Sequence, residues 1–320
     1  MANPNPRVAL GIDLGGSSVK SAWLTDTGDV LARATREFDD GQPMAWADAV
    51  LSIFNHIPEG VDQQAARVGV SAPGLASKDR RRIQCMPGRL AGLEGLEWTK
   101  FLARGKPVPV LNDAQAALRG ECWLGAGRGV SDAILITLGT GVGGAAMVDG
   151  NLLRGRIGRA GHLGHTVLDV DAPADVCLAP GSLEQMIGNC TVEIRSGGRF
   201  KSTQEVIEAF KAGDPVAASV WLRSLKQLAG AIASFINILD PQRVIIGGGI
   251  ARAGDLLFKP LQAFLDPMEW RPDGTKAILV PAELGEFAGA FGAAHAALEP
   301  DLRETNTPFF FTNGPRNSEV

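Results

Sequence analysis

The sequence predicts an α/β protein of two lobes, each built on a mixed sheet with flanking helices. Strands alternate with helical segments along most of the chain. A unit made of a strand, a glycine turn carrying a hydroxyl and a returning strand occurs twice, around Asp13 and around Thr140, as expected of duplicated lobes. The length of 320 residues is enough for two lobes of ordinary size with substantial cores.

Taken in order, Val8 to Asp13, Val19 to Thr25 and Val30 to Arg36 are short apolar segments separated by Gly15-Gly16-Ser17 and Asp26-Thr27-Gly28-Asp29, and they read as an antiparallel meander. An amphipathic stretch from Trp46 to Ile57 follows. Then come a strand Val68 to Ser71 ending in Pro73-Gly74 and a strand Val108 to Leu111 ending at Asn112-Asp113. Ala133 to Leu138 turns through Gly139-Thr140-Gly141 into a return strand over Gly144 to Val148. Asp214 and Pro215 open the longest helix, in which Trp221, Leu225, Leu228, Ile232, Phe235 and Leu239 recur at helical spacing. Val244 to Ile246 reads as a buried strand running into Gly247-Gly248-Gly249, followed by helices over about Asp255 to Leu265 and Phe287 to Leu298. The division expected is 1–120 plus 286–300 as one lobe, 121–285 as the other, and 301–320 as a tail with no readable role.

Forty glycines stand well above the average of roughly 7% and point to several tight backbone loops. A net charge of -4 and a pI near 5.7 disfavour nucleic acid as a partner and favour small-molecule chemistry. Cys85, Cys122, Cys177 and Cys190 form no close pair, so spacing gives no disulfide framework or complete zinc site, and a reducing cytoplasm suits them. No charged start with an apolar run marks export, and no stretch approaches the roughly 18 apolar residues of a membrane helix.

Asp13-Leu-Gly-Gly-Ser-Ser-Val-Lys20 joins two strands. Gly15 and Gly16 let backbone N–H groups approach an anion, and Ser17 and Lys20 could bind phosphate oxygens. Asp13 beside such a cradle makes sense if Mg²⁺ stands between them. A second turn carries Thr140 and Gly141, and Gly247, Gly248 and Gly249 give a third point of close approach. Each alone equally describes a plain glycine turn; together they suit a polyphosphate held in a cleft between lobes. Asn112-Asp113 reads as a helix cap for the segment from Ala114, which need not exclude a further role.

In this order and spacing, Asp13 to Lys20, Asn112-Asp113 with Glu121 downstream, Gly139 to Ala145, Gly164-His165 and Gly247 to Ala251 resemble the ROK family of sugar kinases and sugar-responsive repressors, within the actin-like ATPase superfamily. The resemblance spans roughly Val8 to Leu298. It implies the two-lobed actin-like, ribonuclease H-like fold and ATP with Mg²⁺ as cofactors. It further implies a hexose or hexose derivative as acceptor in the manner of a glucokinase, and a homodimer. It makes Asp113 the general base, Asn112 a sugar ligand, and Thr140 with Gly141 part of the ATP site. Phosphoryl transfer agrees, since it needs a carboxylate to accept the hydroxyl proton and charge neutralisation at the phosphates.

Three departures bear on the substrate. The family's Glu-x-Gly-His reads His162-Leu-Gly-His165, exchanging an acceptor carboxylate for an imidazole, and both His162 and His165 are expected as sugar ligands by the resemblance. The family's zinc motif falls on Asp175-Val-Cys177 to Ser182-Leu-Glu184 and keeps one of three thiolates, so structural zinc is not expected, while Glu184 remains a candidate sugar ligand. Arg89 stands where an asparagine commonly meets the sugar; it suits an acidic substrate or else folds outward. The competing readings are a sugar- and nucleotide-binding protein without turnover and a sugar-responsive regulator. The regulator would carry an added N-terminal DNA-binding domain, whereas here the first strand starts within a few residues of Met1.

Overall fold

The computed structural model describes residues 6–86 and 88–299; the expected tail 301–320 lies outside them. Three antiparallel strands open the chain: β1 (Val8–Leu14), β2 (Ser18–Thr25) and β3 (Val30–Glu37). They are followed by α1 (Ala45–Phe54), β4 (Arg67–Ala72), a small hairpin of β5 (Leu75–Ala76) and β6 (Ile83–Cys85), α2 (Trp98–Phe101), β7 (Val110–Asn112) and α3 (Asp113–Leu124). The strand expected from Val108 starts two residues later, because Pro107 and Pro109 have no N–H to give a ladder.

A second set repeats the plan with β8 (Ala133–Leu138), β9 (Val142–Val148) and β10 (Asn151–Leu152). After these come α4 (Leu183–Ile187), α5 (Val192–Arg195), α6 (Thr203–Lys211), α7 (Pro215–Leu239), β11 (Arg243–Gly247), α8 (Asp255–Leu265), β12 (Ile278–Pro281) and α9 (Ala288–Leu298). Asp214 caps α7 by accepting from the N–H groups of Val216 and Ala217, and Pro215 occupies the first turn, where its missing donor is harmless.

The sheets have one topology. The first runs β3-β2-β1-β4-β7 and the second β10-β9-β8-β11-β12, each an antiparallel meander whose first strand is flanked by a parallel strand and then another. All three parallel strands of the first sheet therefore end at one edge, where Asp13 pairs with Ser71 and Asn112 follows one position on, opposite Ala72. Beneath the second sheet α7 buries Trp221, Leu225, Leu228 and Ile232, all 2% exposed or less.

The last helix closes back on the first sheet. A Cβ on Gly11 of β1 would lie 1.8 Å from the Ala290 carbonyl oxygen, and one on Gly69 of β4 would lie 2.0 Å from that of Ala293. Only bare backbone lets α9 sit this close, and its own run of alanines and glycines is nearly all buried. At both points where the chain passes between sheets the fully buried Glu121 of α3 accepts backbone N–H groups: Ala126 on the way out, Glu283 and Leu284 on the way back. Four such bonds satisfy a carboxylate that water cannot reach.

Candidate active site

The site is assembled where the parallel strands of the first sheet end. Asp13 Oδ1 accepts from the Ser71 hydroxyl on the neighbouring strand at 2.6 Å, and Lys20 lies directly across β2 from it. Burial pushes the Asp13 carboxyl up to about 6; the Ser71 bond and the Lys20 charge oppose this, and the Asp113 charge adds to it. Asp113 is exposed at the first turn of α3, next to protein mass that strips much of its water. Its carboxyl is therefore held above the usual range, against the 2.8 Å bond it accepts from the Ala114 N–H. Two acids that repel and remain only partly hydrated suit a site that binds cations and moves protons.

Asn112 does double structural service. Its Oδ1 caps α3 by accepting from Ala114 and Gln115, and its Nδ2 donates to the Gly74 carbonyl at 3.0 Å, leaving one amide hydrogen for a ligand.

Both glycine turns are braced from outside. Arg89 does not fold away: its Nη2 donates to the Gly16 carbonyl at 2.8 Å and its Nε to Asp40 at 3.2 Å, and a Cβ on Gly16 would strike the guanidinium. Ser17 is exposed at the tip of the same turn, and the Gly15 N–H closes it on the Ser18 carbonyl. In the second turn the Gly139 N–H bonds the Gly141 carbonyl, while Asn189 and Cys190 donate their N–H groups to the carbonyls of Gly139 and Thr140. Glu184 lies against this turn, accepting from the Val142 N–H at 3.0 Å with Gly141 packed on its carboxylate. Gly248 has φ 86° and backs onto the Leu138 carbonyl, so Gly247 to Gly249 reach the same edge of the second sheet.

His162 belongs to this cluster through its neighbours. Its Nδ1 must carry a proton to donate to the Arg159 carbonyl at 2.9 Å, which leaves Nε2 as an acceptor. Burial lowers its pKa, opposed by that carbonyl and by the Asp113 charge. His165 is turned elsewhere, Nδ1 to Asp175 at 2.8 Å and Nε2 to Cys177 Sγ at 3.5 Å. Burial pushes Asp175 up, but the bonds from His165, Ala179 and Cys177 outweigh it and leave the carboxyl below the ordinary range. Among the described residues the side-chain donor atoms of His165, Asp175 and Cys177 lie within 4.8 Å of one another.

The protonation of Asp13 gives a testable consequence. An unfolded aspartate ionises near pH 4, whereas Asp13 in the fold holds its proton to about 6. Between those values the folded chain binds the extra proton, so stability falls as pH rises through that window. Asp13→Asn is expected to flatten this dependence and to stabilise the ligand-free protein near neutrality by up to about 3 kcal/mol. Urea unfolding at about pH 4 and about pH 7 measures it; an unchanged slope would reject the account.

Ser71, Asp40 and the 188–190 segment are the contributors that the motifs do not reveal. Ser71 and Asp13 are 58 positions apart, and only the β1–β4 pairing joins them.

The sequence model of the ROK family matches residues 9–299. A glucokinase of Thermotoga maritima is 33% identical over 308 residues, covering 89% of this chain and 95% of that one. An N-acetylmannosamine kinase of Pasteurella multocida is 30% identical, covering 89% and 94%. Among solved structures, the ROK family glucokinase of Streptomyces griseus in complex with glucose and AMPPNP superposes with a TM-score of 0.75 at 26% identity, over 91% of this chain and 99% of that chain.

Proposed function

Because this chain belongs to the ROK family, we propose that it is an ATP-dependent kinase that phosphorylates a hydroxyl of a hexose or hexose derivative, with Asp113 as the base. The observation that carries the reading is the position of Asp113: an exposed acid in the first turn of α3, at the end of the first sheet and within electrostatic reach of His162 from the second half of the chain.

In this reading the turns at Gly15 to Ser17 and Thr140-Gly141 take the phosphates, with Lys20 supplying charge and Gly247 to Gly249 leaving room for the nucleoside. The sugar meets Asn112, Asp113, His162 and Glu184. Asp113 draws off the hydroxyl proton as the oxygen approaches the terminal phosphorus, and alignment does most of the rest. His162 Nε2 accepts from a sugar hydroxyl where a carboxylate would otherwise do so. Arg89, tied to Gly16, sets the first turn and keeps donors over for an anionic group. Mg²⁺ fits at Asp13, whose half-buried charge is offset among the described residues by Ser71 and Lys20, and when bound it would neutralise phosphate oxygens.

Structural zinc does not belong to this reading. Burial raises the Cys177 thiol, a serine stands at position 182, and His165 with Asp175 satisfies itself by hydrogen bonding. The partner is a second copy of the chain, on the strength of Val170, Val176 and Leu178, which are 75 to 85% exposed on one segment. The net charge of -4 speaks against nucleic acid. No helix among the described residues is long and apolar enough to cross a membrane, and with four free cysteines this favours the cytoplasm. The reading keeps the division into lobes at 1–120 plus 286–300 and 121–285, with the two five-stranded sheets as its support.

The test is ADP release from Mg-ATP across hexoses, N-acetylhexosamines and acidic sugars. Turnover that depends on one sugar class is expected. Nucleotide binding with no sugar-dependent turnover would favour the binder without catalysis.

A further inference from the structure

A second cavity, of about 1070 Å³, lies at the other end of the strands. Its walls come from the start of β4 and of β7, the 78–81 segment before β6, the end of α9, and the β9–β10 turn with the residues after it. Arg67 pairs with Ala9 four positions before Asp13 pairs with Ser71, which puts it about 13 Å back along the sheet at roughly 3.3 Å per residue. In the second sheet Val148 likewise sits at the far end of β9 from the turn at Gly141. The cavity is therefore distinct from the candidate active site, and it touches both sheets.

Its lining is basic in a chain whose net charge is -4. Arg67, Lys78, Arg80, Arg81 and Arg154 face it, against the two carboxylates of Asp79 and Asp149. Asp79 is partly occupied, accepting from the Ser77 hydroxyl and the Arg81 N–H. Arg80 lines the cavity while only 3% exposed, and its backbone, at φ 54°, is held in a turn by its N–H on the Ser77 carbonyl and its carbonyl on the Val110 N–H. Guanidinium groups offer paired donors that match phosphate oxygens, and a cavity of this size admits a small molecule.

We infer that this cavity is a binding site for a small anion bearing two or more phosphate groups, and that its occupant bridges the two sheets from behind. The inference does not rest on the kinase reading. Two sources share the chemistry, inorganic oligophosphates and doubly phosphorylated sugars, and the occupant contacts the 78–81 wall on one side and the 149–155 wall on the other.

The experiment is calorimetric titration of the full chain, with AMPPNP present in excess to occupy the nucleotide site, using pyrophosphate in one arm and fructose 1,6-bisphosphate in the other. At least one probe is expected to bind. In the Lys78→Glu/Arg81→Glu variant, which alters two exposed side chains away from the candidate active site, affinity for that probe is expected to fall by about tenfold or more. The arm that binds names the source. Hydrogen exchange with the bound probe is expected to slow in both 78–82 and 149–155. Absence of binding in both arms, or equal binding by the variant, would overturn the site; protection of one wall alone would overturn the bridging.

Discussion

Asp113→Asn is expected to lower kcat for sugar phosphorylation by about 10²- to 10⁴-fold, the usual contribution of a positioned base, with nucleotide affinity unchanged. The replacement keeps shape, and its Oδ1 can still accept the Ala114 N–H that Asp113 accepts at 2.8 Å, so folding should survive. A base must be ionised, and burial holds this carboxyl above the ordinary aspartate range. The wild-type rate should therefore fall on the acid side at a pH higher than a free aspartate would give, and that limb should vanish in the variant. Steady-state ADP release over a pH series, with calorimetry for nucleotide binding, decides it. A variant retaining more than about a tenth of the wild-type kcat would remove Asp113 from the base role.

The largest loss of stability is expected from a single methyl group. Gly292→Ala in α9 would put a Cβ 1.7 Å from the Ala116 carbonyl oxygen and 2.9 Å from the Gly120 nitrogen, both backbone atoms of α3 that cannot swing aside. Helix propensity alone would favour the alanine by up to about 1 kcal/mol. Forcing the helices apart should reverse the sign and destabilise by about 3 kcal/mol, the upper end for overpacking. Gly230 in α7 supplies the control, because nothing lies within 4 Å of its would-be Cβ, and Gly230→Ala should stabilise by up to about 1 kcal/mol. Urea midpoints of the two variants should move in opposite directions; if both rise, the helix contact is looser than its geometry requires.

Much of this fold is legible in the residues because its signals are local. The turns after Asp13 and Thr140, the Asp214-Pro215 start of α7 and the glycines after β11 each announce themselves within a few positions. The helix α6 is equally open to reading through Ser202 and Glu205, which stand at capping-box spacing, although it is absent from the elements expected above. What stayed hidden depends on distant pairing. The amphipathic and polar run between Gly74 and Met86 conceals a hairpin, β12 is a four-residue edge strand with half its side chains exposed, and Ser71 meets Asp13 only through the sheet. Arg89 illustrates the same limit. Its type left open a substrate contact or a solvated side chain, and only the folded turn places the Gly16 carbonyl beneath it.

The placement of α9 also orders events during synthesis. The first sheet is made by residue 112, yet the helix that packs against Gly11 and Gly69 is not complete until residue 298. Everything from β8 to β12 emerges from the ribosome in between and has its own core on α7. A nascent chain can thus finish its second half first while its first sheet stays uncovered until α9 has emerged, leaving the β1 and β4 glycines as an unoccupied groove until then.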